Sequence, residues 1–233
     1  MERKMVIPGE LVGAGDVRLG VGVYRDGEDI YSSTVGLLDE KKGNIRVIPI
    51  TGKYFPRVDD FVIGMIKGAQ FTNWGVDINS AYSGILNAAD FFRKVDPRET
   101  DLNTILTPGT MVYAKVREIT YSRKVFITMQ ESVARVLKGG RLVEMTPAKV
   151  PRVIGRKSSM LNTIRNESGC RIRVGQNGRI WIDGEPALRD IVERALKKIE
   201  GEAHRSGLTE SIKELITKER EEYESRKTQE IDR

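Results

Sequence analysis

Over the first 130 residues the apolar side chains come in short alternating runs cut by glycine and proline, and from Met145 the period lengthens. That switch constrains the fold more than any other feature. Alternation puts every second residue on one face of a strand, so the first part of the chain builds barrels or sandwiches. The later period of three and four lays helices on a small sheet.

Residues 1–56 read as short strands. Val21–Tyr31 holds two of them around an Asp26-Gly27 turn. Gly13-Ala14-Gly15 is not a dinucleotide loop, because Arg18 stands where the third glycine belongs and no helix follows. Residues 57–130 are expected to contain five strands: Asp60–Ile66, Val76–Asn79, Tyr82–Leu86, Thr110–Ile119 and Lys124–Met129. Five short strands with one longer connection fit an OB barrel. Val112, Ala114 and Val116 should point inward, and Tyr113, Lys115 and Arg117 outward. Residues 131–144 read as a linker with Gly139-Gly140 as its flexible point. In 145–206 a strand through Val150 leads to a helix over Ser158–Asn166 that closes at Gly169, with room for a second short helix near it. Strands Arg171–Val174 and Arg179–Ile182 follow, then an amphipathic helix opened by Pro186. Residues 207–233 should form a helix that frays into a disordered tail.

Charge separates these segments. Residues 1–56 carry 8 bases and 8 acids, for a net of 0, whereas Lys149–Ile180 carries 8 bases and 1 acid, for a net of +7. A basic block inside a folded domain beside a neutral one points to phosphate as the ligand. With 39% hydrophobic and 31% charged residues the chain should be soluble and globular. No run reaches the ~18 apolar residues of a membrane helix, and the apolar part of the N-terminus is too short for a secretory signal. Cys170 is the only cysteine, which leaves no intrachain disulfide and no cysteine zinc cluster. A cytoplasmic location follows as the default.

Two stretches resemble known modules. Val150 to Val174, with Ile154-Gly155-Arg156-Lys157-Ser158, resembles the core of a type I-like KH domain. In that family a Gly-x-x-Gly loop at a helix N-terminus clamps the backbone of a short single strand. Ser158 stands where the family has its second glycine, and it or Ser159 can cap the helix. Asp60–Ile66, Tyr82–Leu86 and Pro108–Val116 resemble an S1 domain. A β domain opening with Ile7-Pro8-Gly9-Glu10, then S1, then KH with Gly175-Gln176-Asn177-Gly178 between its strands, is similar to the S1–KH cap subunits of the archaeal exosome. The resemblance covers residues 5 to about 205. It implies single-stranded RNA as ligand, RNase PH-like ring subunits as partners, three copies per assembly, and delivery of RNA to the ring's phosphorolytic sites.

Site expectations follow from both lines of reasoning. Trp74, after the first barrel strand, either stacks on a base or packs against the barrel rim. Tyr121, Arg123 and Lys124 occupy the other loop bordering the nucleic-acid face. Lys115 and Arg117 either meet RNA or support another domain. Arg152, Gly155, Arg156, Lys157 and Ser158 form the KH loop region, and Arg171 and Arg173 emerge on one strand face towards phosphate. Gly175, Asn177 and Gly178 read as structural, and Trp181 covers either a base or a domain interface.

Catalysis finds no support in the sequence. His204 is the only histidine and sits in a polar stretch, Cys170 opens a core strand, and the carboxylates of Asp59-Asp60 and 96–101 lie in turns. No metal or cofactor is expected. The chain is therefore expected to bind RNA without cleaving it. A translational or ribosome-associated RNA binder and a structural assembly factor with a degenerate KH domain stand as alternatives.

Overall fold

The computed structural model describes residues 4–41, 43–91, 95–96, 98–202 and 207–231. The expectation for His204 lies outside them. The chain divides into two compact units, Met1–Gly52 and Lys53–Arg233.

The first unit is all β. Strands β1 (Met5–Val6), β6 (Gly36–Lys41), β7 (Asn44–Pro49) and β3 (Arg18–Leu19) form one sheet in the order β1-β6-β7-β3. β2 (Leu11–Ala14), β5 (Asp29–Ser32) and β4 (Val23–Asp26) form a second, in the order β2-β5-β4. The Asp-Gly signal does produce the β4–β5 hairpin, with Gly27 at φ 62°. Val6, Val12, Ile30, Ile45 and Val47 make its small core.

The second unit begins with a closed barrel. Its strands are β8 (Phe61–Ala69), β9 (Asn73–Asp77), β10 (Gly84–Asn87), β11 (Met111–Ile119) and β12 (Val125–Thr128). They run β12-β10-β9-β8-β11, and the β11–β12 pairing closes the ring. Helix α1 (Leu102–Ile105) lies in the long connection, with Asp101 accepting from the Asn103 N–H at its start. Val112, Ala114 and Val116 are fully buried, as alternation requires. Residues 135–137 form β13, which pairs antiparallel with β11, so part of the expected linker is barrel sheet.

The KH domain has three strands, β14 (Arg141–Glu144), β15 (Arg171–Val174) and β16 (Arg179–Asp183), in the order β14-β16-β15. Helices α2 (Val150–Ile154), α3 (Ser159–Ser168) and α4 (Pro186–Gly201) complete the domain. The strand expected through Val150 stops at Glu144. Pro147 opens a short 3-10 turn and Pro151 sits in the first turn of α2, where a missing N–H costs nothing. α3 ends at Gly169, which is left-handed at φ 68° and returns its N–H to Arg165 O. Ile191, Val192, Ala195, Leu196 and Ile199 of α4 join Val153, Ile164, Ile172 and Ile180 in one core.

The C-terminal helix is longer than expected. α5 runs from Leu208 to Ile231, past its apolar turns. Leu208, Ile212 and Ile216 enter the KH core. Further along, polar side chains continue the docking. Arg194 pairs with Glu219 at 2.5 Å, and Tyr223 and Lys227 both bond Glu185.

Candidate nucleic-acid interface

One face of the barrel carries an open groove of about 870 Å³ across β8, β9, β10 and β12. Gly68 and Gly75 keep its floor low. A Cβ on Gly68 would meet nothing within 4 Å, and one on Gly75 only the Gly68 carbonyl at 3.9 Å, so both would project into free space. Lys67, Gln70, Asn73, Tyr82, Phe126, Arg123 and Lys124 contribute to the walls. Among the described residues Lys67, Arg123 and Lys124 make no salt bridge, and the charge of Lys67 reaches only as far as a field on the Asp77 carboxylate.

Local bonding aims these groups. In the β11–β12 loop the Thr120 hydroxyl accepts from the Lys124 N–H at 3.1 Å, and the Arg123 N–H reaches Thr120 O at 2.8 Å. This tight turn holds Tyr121 wholly in solvent. The Arg123 guanidinium lies over the Tyr82 ring and donates to its hydroxyl, and Phe55 abuts the same ring edge-on. Phe71, in the β8–β9 turn, is 76% exposed. A groove with cations, glycine floor and exposed rings can hold a backbone by charge and bases by stacking, the chemistry of single-strand binding. Sequence reasoning missed Lys67, Phe71 and Tyr82. Only strand parity around the Gly68 bulge would have pointed to Lys67.

A second basic site lies at the start of α3. Gly155 takes φ 73°, and a Cβ there would fall 2.8 Å from the Met160 nitrogen. Lys157 (φ 48°) and Ser158 (φ 63°) are both left-handed, so Ser158 adopts the conformation a glycine would supply more cheaply. Its hydroxyl makes no capping bond. Arg152, Arg156 and Lys157 are exposed along this turn.

Several expected residues lie elsewhere. Trp74 is fully buried on β9, donates to Leu102 O at 3.0 Å and packs on Phe91. It belongs to the barrel core and cannot stack on a base. Lys115 is held by Asp59 at 2.9 Å and Glu131 at 3.0 Å, and these bonds raise its pKa. Arg117 is paired with the buried Asp90 carboxylate. Each charge already has an acid and both residues lie outside the groove, with 45% of the Arg117 side chain still exposed. Arg171 is exposed and paired with Asp183, and Arg173 lies over the Tyr113 ring at 5.7 Å. Cys170 is buried, and burial pushes its thiol pKa up, away from nucleophile chemistry.

The Gly175–Gly178 turn ties the KH domain to the barrel. Asn177 is fully buried, donates to Ile63 O at 2.8 Å and Ile78 O at 2.9 Å, and accepts from the Ile63 N–H at 3.2 Å. The Gln176 N–H reaches Phe61 O at 2.8 Å. A Cβ on Gly175 would strike Asn177 Oδ1 at 2.3 Å, and one on Gly178 the Met145 carbonyl at 2.3 Å. Beside the turn Arg179 bonds the Asp77 carboxylate at 2.7 Å and Glu144 at 3.0 Å. Burial alone would raise the Asp77 carboxyl, but the Arg179 and Asn79 bonds outweigh it and hold it below the usual carboxylate range. Trp181 covers this junction, with Ile63 and Leu137 beside it and its indole N–H on Gly139 O.

Comparison with known proteins agrees with this architecture. Residues 3–51 match the family model described as the exosome RNA binding protein RRP4 N-terminal domain, and residues 140–188 match that of the KH domain. The exosome complex component Rrp4 of Methanothermus fervidus is 42% identical over 92% of this chain and 96% of its own length. That of Pyrococcus abyssi is 43% identical over 92% of this chain and 82% of its own. A solved structure, provisionally described as an exosome complex RNA-binding protein, is 40% identical, covers 73% of this chain and 98% of its own, and superposes with a TM-score of 0.66. With such identity over most of its length, the chain belongs to the Rrp4 family of exosome complex components.

Proposed function

We propose that this protein is a non-catalytic RNA-binding subunit of the exosome that captures single-stranded RNA and passes it to a phosphorolytic 3′-to-5′ exoribonuclease ring. The barrel groove carries the reading: Lys67, Arg123 and Lys124, which make no salt bridge among the described residues, stand with the Tyr82 and Phe126 rings over a glycine floor, and Phe71 and Tyr121 are exposed in the adjoining turns. The KH turn at Gly155–Ser158 supplies a second basic surface. The N-terminal unit serves as the docking module on the ring. Residues 1–56, which include it, are charge-neutral, and Met5, Ile7 and Leu11 expose 60%, 59% and 53% of their surface. Three copies around one ring would multiply weak single sites into tight capture.

The test compares product ladders and RNA affinity of the ring with and without this subunit, at equal ring concentration and salt. Tighter binding and more processive shortening are expected with it. Indistinguishable ladders and affinities would refute the proposal.

A further inference from the structure

Three arginines from three elements converge on one tyrosine where the barrel meets the KH domain. Arg135 opens β13 and stands opposite Tyr113 across the β11–β13 ladder. The Arg173 guanidinium, from β15, lies over the Tyr113 ring at 5.7 Å. Arg165 reaches over from α3 to bond the Ile172 carbonyl of the same β15 strand. Tyr113 itself is fixed by stacking on Phe61 with centroids 5.3 Å apart. None of the three arginines has a carboxylate partner among the described residues.

Elsewhere in the fold Lys115, Arg117, Arg141 and Arg179 each carry an acid, while the half-covered Lys149 and Lys198 bond the Glu200 carbonyl and the Ser211 hydroxyl. Around Tyr113 the field is wholly positive: burial and the neighbouring Arg135 and Arg165 lower the pKa of Arg173, and burial lowers that of Arg165. Uncompensated like charges destabilise a fold, so their gathering at a rigid aromatic support needs an anion to justify it. Guanidinium groups present paired donors that match phosphate oxygens.

We infer that Arg135, Arg165 and Arg173 around Tyr113 form a second phosphate site, built jointly by the barrel and the KH domain, that takes a phosphodiester of the RNA strand. It shares no residue with the barrel groove. The inference rests on the RNA-binding reading and extends the strand's footprint onto the junction.

The experiment measures affinity of the full chain for a single-stranded RNA oligomer across a salt series. The variants are Arg135→Gln/Arg165→Gln at the junction and Lys67→Gln/Lys124→Gln in the groove. The junction variant should bind about tenfold more weakly near 0.1 M salt, with a log–log slope shallower by roughly 0.7 per lost phosphate contact. Arg135→Lys/Arg165→Lys should recover most of the slope, because it restores charge. Removing repulsion should leave the melting temperature of Arg135→Gln unchanged or raised. An unchanged junction slope beside a weakened groove variant overturns the junction site and leaves the RNA reading standing. Unchanged slopes in both variants overturn both. Loss of ring association with RNA binding intact marks an acidic protein surface as the ligand and overturns the inference. So does a junction that responds only to inorganic phosphate at matched ionic strength.

Discussion

Ser158 shows how one side chain can carry strain without a bond in return. Its left-handed backbone costs an L residue roughly 1–2 kcal/mol, and its hydroxyl caps nothing. Glycine would remove that cost but add unfolded-state entropy, so Ser158→Gly should stabilise the protein by roughly 0.5–1 kcal/mol in urea unfolding. A lower midpoint would show that the hydroxyl holds the turn in some other way. Aromatic residues separate by burial. Trp74→Ala should cost ~3–5 kcal/mol, since it empties the barrel core and orphans the Leu102 carbonyl. Phe71→Ala and Tyr121→Ala should leave stability within about 0.5 kcal/mol and weaken RNA binding by ~1–3 kcal/mol for each base unstacked. The reverse pattern would remove Phe71 and Tyr121 from the interface. In the sequence these three residues looked alike, all aromatic beside barrel turns. Only the tertiary fold distinguished them, because α1 brings the Leu102 carbonyl to the Trp74 indole.

At the level of elements, the Gly175–Gly178 turn joins two domains that the sequence presents as separate modules. Asn177→Ala would strand the Ile63 N–H and the Ile63 and Ile78 carbonyls, at a cost of at least about 3 kcal/mol. Barrel and KH signals should then unfold in separate transitions; coincident transitions at the wild-type midpoint would show that the turn is not the tie. Acid probes the same joint. The folded-state pKa of Asp77 lies below its ordinary value, so its contribution is present above the unfolded carboxylate pKa of about 3.9. That contribution disappears as pH falls through the lower folded value. Asp77→Asn should flatten this part of the stability–pH curve, and an unaltered acid limb would assign the loss to other carboxylates. Asparagine between two glycines already read as structural, since both residue types suit tight turns. That it binds another domain could not be read, because its partners lie 98 to 114 residues away.

For the whole molecule, each unit closes its own core, with Val6, Ile30 and Val47 in the first and the barrel and KH clusters in the second. Deleting Met1–Gly52 should leave a cooperatively unfolding protein with wild-type affinity for RNA that no longer co-elutes with the ring. Co-elution at full stoichiometry would move docking to the remaining unit. The order of modules was legible in the sequence because local signals suffice for it: period two against period three to four, glycine at forced turns, and the basic block from Lys149 to Ile180. The inward face of β11 and the limits of β15 followed from alternation alone. Which cations face solvent did not follow, because that depends on where carboxylates arrive from. Asp59 and Glu131 reached Lys115 and Asp90 reached Arg117, whereas among the described residues no carboxylate forms a salt bridge with Lys67, Lys124 or the three arginines around Tyr113. Charge type is a property of the residue, whereas its neutralisation depends on long-range packing, and here packing decided which cations of the described residues carry an acid.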